Sequence, residues 1–369
     1  MHIVVVDVPA DRGGALSILN DFYNFVKDHG QRDQWTFIVS TPELEACDHI
    51  QVVRLPWIRK SLLHRLGWDY CLAGRRIKKY RPDVIFSLQN IPIPFSQVPN
   101  IVYVHQSLPF QNVKRYSFFD RRERSMAFYQ HVIGRLIKAG VRRANQVIVQ
   151  SSWMKLAMID QTQIQENKVA VIPPELIMPE IDRCSLKTGY PIQMNRFFYP
   201  AGASHYKNHH CILQAARILL DRGYKDFTIE FTMNKDDNSL ARELYTDAQQ
   251  LEDCIRFIGP LARSDVYKKF AESVLLFPSY IETVGLPLIE ARMIGGVILA
   301  SNCNFSQENL AGYENARFFD PMDPLALTQE MEFIMQGGWS YSLPSGTPSR
   351  VNSGWQPVLN LIKECVVPT

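Results

Sequence analysis

The sequence predicts an α/β protein built from two doubly wound parallel sheets. Three observations carry this. The chain has 369 residues, enough for about two domains at roughly 100–200 residues each. Short β-branched runs alternate with helix-like stretches along its length, the pattern of parallel sheets with covered faces. The runs are also near-continuously apolar, as strands buried on both faces must be.

Taken in order, residues 3–8, 36–40, 52–55, 83–88, 101–105 and 147–151 read as strands of the first half, with 169–173 as a further short one. Residues 196–201, 227–232, 256–259, 274–278 and 297–301 read as strands of the second. Helical periodicity occupies 15–27, 129–143, 209–221, 239–251, 265–272 and 286–293. Pro173, Pro174, Pro179, Gly189 and Pro191 break the pattern between the halves. The expected domains are therefore 1–180 and 190–350. A loose stretch from Gly337 to Gly354 precedes a terminal amphipathic helix, 354–369, which carries Trp355, Val358, Leu359, Ile362 and Cys365 on one face. This helix is expected to return to the first domain.

Composition excludes several classes. With 46% hydrophobic and 21% charged residues the chain is an ordinary globular sequence, not a disordered one. The longest apolar runs are strand-length, far below the ~18 residues of a bilayer span. The opening Met1–Asp7 meets an acid at once and reads as a strand, not a signal peptide. The seven cysteines are odd in number and form no CxxC pair, which argues against zinc ribbons and redox motifs. Most are expected to be small buried hydrophobes in a reducing cytoplasm.

Ligands of open α/β sheets bind beyond the carboxyl ends of the strands, so the loops after strands hold the candidate residues. The first loop ends in Gly13-Gly14 and runs into a helix. Paired glycines let a backbone approach a ligand and a helix start favours an anion; the alternative is a plain strand–helix turn. His105 ends an apolar strand, where an imidazole can bond a hydroxyl or act as a base; the alternative is a structural histidine. Gly202 to Lys207 follows the first strand of the second half. Lys207 lies at a helix start, where it and the donors of Ser204 and the backbone suit a phosphate. His205, His209 and His210 show no acid at metal-binding spacing, and no metal is expected.

The segment Phe277 to Ala291 is the richest. Glu282 lies in its loop, Gly285 and Pro287 open a helix, and Glu290 sits on that helix. The amides of Thr283, Val284, Gly285 and Leu286 suit a diphosphate. Carboxylates suit sugar diols because each oxygen accepts a hydroxyl proton.

This segment resembles the retaining glycosyltransferases of family 4, which have the GT-B fold of two Rossmann-like domains. Glu282 and Glu290 match that family's E-x7-E motif, and Gly202 to Asn208 looks like its phosphate-binding region. Gly13-Gly14, His105 and the helix after Trp355 also fall where the family places them. The resemblance implies a nucleotide-sugar donor, UDP ahead of GDP, bound in the second domain. Lys207 would bind the diphosphate, Glu290 the ribose, and Glu282 with His105 the transferred sugar. The loop carrying Phe257, Ile258 and Gly259 would border the base. It further implies an acceptor in the first domain, a lipid-linked or growing surface glycan, and no metal. Two departures stand out. Ala203, Ser204, His205 and Tyr206 include no arginine where the family often has one, and Thr283 replaces a frequent glycine.

Net charge adds a partner expectation. Residues 1–185 hold 24 Lys+Arg and 17 Asp+Glu, a balance of +7, while the remainder balances at −4. Arg54 to Arg81 carries nine basic residues and one acid, interleaved with Trp57, Ile58, Leu62, Leu63, Leu66, Trp68 and Tyr70. Lys114 to Arg143 carries nine and two, with Tyr116, Phe118, Phe119 and Phe128. That mixture suits an anionic membrane surface, which would place the protein in the cytoplasm, peripheral at the inner face of the membrane. The alternative is a helix packed on its own sheet with a solvated basic face. No nucleic-acid motif accompanies the charge. Two other functions fit the same motifs: a nucleotide-sugar epimerase, and a non-catalytic sugar-nucleotide-binding partner.

Overall fold

The computed structural model describes residues 1–176, 192–342 and 353–366. Pro179, Cys184, Gly189, Pro191 and positions 343–352 of the loose stretch lie outside the described residues. The chain divides into two compact units, Met1–Glu175 with Arg350–Thr369, and Leu176–Ser349.

The first unit is built on a parallel sheet of seven strands: β1 (His2–Asp7), β2 (Gln34–Val39), β3 (Ile50–Arg54), β4 (Val84–Ser87), β5 (Asn100–Val104), β6 (Gln146–Val149) and β7 (Val169–Val171). Their order is β3-β2-β1-β4-β5-β6-β7. Val4 is paired with Thr36 on one side and Ile85 on the other, so β1 is central. Its side chains alternate between two cores. Ile3 and Val5 pack with Leu19 and Phe22 of helix Gly13–His29, and Val4 and Val6 pack with Ile58, Trp68 and Ile77. Burial on both faces is the physical reason β1 reads as an unbroken apolar run.

Helix Trp355–Glu364 belongs to this unit. Val358, Leu359 and Ile362 enter the same core as Phe22, and the Trp355 ring lies 4.9 Å from Phe22 and 5.4 Å from Tyr103. The Gly354 amide donates to the Pro173 carbonyl at 2.9 Å, fixing the entry to the helix.

The second unit is a parallel sheet of six strands: β8 (Gln193–Tyr199), β9 (Thr228–Phe231), β10 (Ile255–Phe257), β11 (Ser273–Phe277), β12 (Val297–Ser301) and β13 (Ala316–Phe319), ordered β10-β9-β8-β11-β12-β13. The order reverses at β8 and β11, the two central strands, and both of the candidate loops that follow Tyr199 and Phe277 leave from there. This is the switch point at which doubly wound sheets bind ligands.

The α/β class is as expected from sequence, with differences in particular elements. β13 was not expected, because Arg317 interrupts its apolar pattern; the side chain is held by Glu330. Helices Ser152–Thr162, Asn304–Leu310 and Pro324–Met335 were not expected either. The helix expected over 129–143 is three pieces: Arg124–Phe128, a π-helical turn Tyr129–Ile133, and Gly134–Val141. A second π turn, Trp68–Leu72, joins Leu62–Gly67 to Ala73–Lys78.

The cysteine expectation needs correction. Cys211, Cys254 and Cys303 are buried, Cys365 is half-buried, and Cys47 and Cys71 are exposed. The apolar residues interleaved in the two basic stretches divide: Ile58, Trp68 and Tyr116 are core residues, whereas Leu63 and Phe119 are 78% and 96% exposed. Among the described residues, no helix is long and apolar enough to cross a membrane.

Candidate active site

Two loops of the second unit converge on one charge pair. Beyond β8 the chain turns through His205–Lys207, a 3-10 turn, and Asn208 adopts a left-handed conformation before helix His209–Asp221. Asn208 ties this corner down, its side-chain amide donating to the carbonyls of Pro278 and Pro321 at 3.3 and 2.7 Å. The Tyr199 hydroxyl donates to the Lys207 carbonyl at 2.9 Å. Beyond β11, the Tyr280 amide donates to the Tyr206 carbonyl at 3.1 Å. The two loops are thus stitched together by backbone groups.

The stitching places Lys207 Nζ 2.5 Å from Glu282 Oε1. Both side chains keep partial exposure, 21% and 16%. Burial pulls Lys207 down, yet the Glu282 carboxylate, with Tyr206 beside it, holds the ammonium above its ordinary value. Ser279 donates to the same Glu282 oxygen at 2.7 Å. Lys207 has three donors and Glu282 two acceptor oxygens, so each retains bonding capacity for a ligand: a cation for a phosphate, an acceptor for a hydroxyl.

Glu290 lies on helix Leu286–Ile294. Its Oε1 accepts from Arg263 Nη2 at 2.6 Å and from the Tyr267 hydroxyl at 3.2 Å. Gly285 caps that helix at φ 74°, where a Cβ would stand 3.2 Å from Phe305 Cδ2. Asn309 donates to the Val284 carbonyl, which fixes the loop of Thr283, Val284, Gly285 and Leu286. Around Gly202 the backbone faces open space, with nothing within 4 Å of a Cβ placed there; Ser204 leads the 3-10 turn. The Phe257 ring is stacked on Tyr245 at 3.6 Å and lies 5.6 Å from Phe231, while Gly259 turns the chain after Ile258 at φ 73°.

In the first unit, His105 follows the carboxyl end of β5. Its backbone amide donates to Asn90 Oδ1 at 2.8 Å and its Nε2 lies 2.9 Å from the Leu88 carbonyl. The same Nε2 lies 3.2 Å from Asn90 Nδ2, so the ring is held between a carbonyl acceptor and an amide donor. Burial pushes this imidazole down to about 4, opposed by the Leu88 carbonyl. It is neutral at physiological pH. Gly13, at φ 61°, and Gly14 open their helix with nothing within 4 Å of an added Cβ.

Sequence reasoning singled out Lys207, Glu282 and Glu290 as candidates but not the residues that hold them. Ser279, Arg263, Tyr267 and Asn90 position the candidate groups. Asn90 had a signal, a polar residue shortly after the apolar run of β4. Arg263 opens a helix that only the fold brings beside Glu290. The histidine group also needs correction: the fold sets His210 Nε2 3.5 Å from Asp247 Oδ2 and 3.7 Å from Glu243 Oε1, acids that sequence spacing did not place near it. His209 is buried between Tyr199 and Phe231, its ring pushed down to about 3 by burial.

Comparison with known proteins bears on both units. Residues 187–342 match the family model described as glycosyl transferases group 1, and residues 28–174 match glycosyltransferase family 4. No curated protein sequence matches the chain. The fold is similar to that of sucrose-phosphate synthase from Thermosynechococcus elongatus, at a TM-score of 0.65 and 17% identity over 91% of this chain and 90% of that one. It is similar to the lipopolysaccharide outer core galactosyltransferase WaaB, at 0.62 and 14% over 93% and 92%. Anabaena Alr3699/HepE, solved in complex with UDP and glucose, is similar at 0.57 and 16% over 91% and 90%. With both halves matched to glycosyltransferase models and the double-sheet fold shared, the chain belongs to the group 1/family 4 glycosyltransferases of GT-B fold and is a glycosyltransferase enzyme.

Proposed function

We propose that this glycosyltransferase moves a hexose-type sugar, with retention of anomeric configuration, from a nucleotide diphosphate sugar to a hydroxyl of a lipid-linked or growing surface glycan such as O-antigen, capsule or exopolysaccharide. UDP is preferred over GDP as the nucleotide. The observation that carries this is the Lys207–Glu282 pair at the switch point of the second sheet.

Lys207 faces the diphosphate and compensates the charge that grows as the C1–oxygen bond breaks. Glu282 accepts from a hydroxyl of the transferred sugar, and Ser279 keeps its carboxylate aimed. Glu290, aligned by Arg263 and Tyr267, accepts from the ribose diol. The amides of Thr283, Val284, Gly285 and Leu286, with Ser204 and Gly13-Gly14, complete the diphosphate site, and Phe257, Ile258 and Gly259 border the base. Neutral His105 hydrogen-bonds a hydroxyl of the transferred sugar. The acceptor oxygen bonds to C1 on the face the diphosphate leaves, and its proton passes to a departing phosphate oxygen. No step uses a metal. The basic first half, with exposed Leu63 and Phe119, docks at an anionic membrane surface on the cytoplasmic side.

Incubation with UDP-hexoses and a lipid-linked glycan acceptor, followed by NMR of the product's anomeric proton, tests this. An inverted linkage rules out retention. A new nucleotide sugar formed from donor alone, without acceptor, identifies an epimerase instead.

A further inference from the structure

Two helices of the second unit, His209–Asp221 and Ser239–Asp247, bring three side chains to one point. Glu243 and Asp247 are four residues apart and share a face of their helix. His210 lies in the first turn of the other. Its Nε2 stands 3.5 Å from Asp247 Oδ2 and 3.7 Å from Glu243 Oε1. The three ligand atoms all lie within 4.8 Å of one another.

These separations are long for a hydrogen bond, whose N–H···O distance is about 2.7–3.2 Å. They fit a shared ion better. Zinc holds imidazole nitrogen and carboxylate oxygen at roughly 2.0–2.2 Å, which sets neighbouring ligands of a tetrahedron roughly 3.3–3.5 Å apart. The ring nitrogen already stands near that spacing from both carboxylates. Two carboxylates also balance the charge of a divalent ion, and the imidazole selects a transition metal over magnesium or calcium, which take shells of oxygen. The side chains are 36–40% exposed, so an ion reaches them from solvent and water completes its shell.

The backbone holds this cluster from both ends. His209, the neighbour of His210, is buried between Tyr199 and Phe231 and fixes the start of its helix. Asn238 caps the second helix, accepting from the Ala241 amide at 2.9 Å, while its own amide donates to the Ala203 carbonyl at 3.0 Å. At the far end Arg217 Nη2 donates to the Asp247 carbonyl at 2.9 Å. Only side-chain rotamers are left to settle on binding, which keeps the ordering cost low.

We propose that His210, Glu243 and Asp247 form a site for a divalent transition metal such as zinc. The ion joins the helix that follows Lys207 and Asn208 to the helix whose cap holds Ala203, and so braces the corner that carries Lys207. Its role is structural. No bond of the sugar is made or broken on it, and the site is independent of the sugar-transfer reading.

The probe is zinc ion, titrated calorimetrically into the whole, tag-free chain after chelator treatment and dialysis. One saturable equivalent is expected. His210→Ala weakens it at least tenfold, as does Glu243→Gln with Asp247→Asn; circular dichroism checks that these surface variants are folded. Zinc raises the unfolding midpoint of the wild type, because binding to the folded state stabilises it, and leaves that of His210→Ala unmoved. Cobalt(II) in place of zinc gives visible absorption bands of four-coordinate geometry that His210→Ala abolishes. The exposed Cys47 has its Sγ 3.6 Å from His49 Nδ1, so Cys47→Ser is titrated alongside and is expected to bind as the wild type does. Absence of saturable binding, or equal affinity in the wild type and His210→Ala, overturns the proposal. Loss of binding in Cys47→Ser alone overturns it by moving the ion to the first unit. Displacement of zinc by an equal concentration of calcium also overturns it, leaving an acidic surface without selectivity.

Discussion

Lys207 Nζ and Glu282 Oε1 lie 2.5 Å apart although 75 residues separate them in the chain. The pair exists because β8 and β11 are hydrogen-bonded neighbours whose following loops share backbone bonds. Removing one member leaves the other charge half-buried and unpaired. Lys207→Ala and Glu282→Ala are each expected to cut turnover by well over tenfold, since a positioned group that stabilises developing charge contributes about 2.7–4 kcal/mol. Initial-rate kinetics with saturating donor check this; full activity in either variant refutes the roles assigned.

Arg263 is expected to act through Glu290. Arg263→Ala leaves the carboxylate with Tyr267 as its remaining partner and weakens nucleotide affinity several-fold, with a smaller effect on the rate at saturation. Arg263→Lys restores only part of it, because a lysine does not reproduce the guanidinium fork that bonds Tyr267 and Glu290 together. Equal nucleotide affinity in the wild type and Arg263→Ala removes Arg263 from the site.

Gly285→Ala tests the loop. A side chain in the left-handed region costs roughly 1–2 kcal/mol, and the new Cβ presses on Phe305. The expected result is a lower unfolding midpoint together with weaker nucleotide affinity. Unchanged values for both contradict the need for glycine.

Two buried groups of the first unit impose opposite pH dependences. Asp7, at the end of β1, has its carboxyl pushed up to about 7 by burial, which outweighs the nearby Arg65. It stays protonated in the folded chain while the unfolded carboxyl ionises near 3.9, so its contribution falls as pH rises from about 4 to about 7. His105, pushed down to about 4, works the other way: the unfolded ring binds a proton below about 6.5, so its contribution rises over about pH 4 to 6.5. Asp7→Asn is therefore expected to steepen the rise of stability towards neutral pH and to leave the protein more stable than wild type at pH 8. Urea unfolding from pH 4 to 8 measures it; a variant curve parallel to the wild type's would refute the buried carboxyl's role.

Leu359→Ala should destabilise the protein by about 2–5 kcal/mol, since Leu359 is 3% exposed and lies in the core with Phe22 and Phe86. An effect below 1 kcal/mol would mean that the terminal helix is not part of that core.

The α/β class was legible in the sequence, because strands buried on both faces must be apolar throughout, and so were the candidates Lys207 and Glu282, because charged residues in glycine-bearing loops after such strands have few structural uses, with Glu290 singled out by its spacing from Glu282 on the helix that follows. The sequence hid β13, whose Arg317 is neutralised by a residue thirteen positions away, and the two π turns, which break helical periodicity without any proline or glycine signal of their own. What tertiary structure alone decided was partnership. Ser279 with Glu282, Arg263 with Glu290, Asn90 with His105, and His210 with Asp247 across two helices all depend on strand order and helix placement, and contacts between residues distant in the chain leave no local pattern to read.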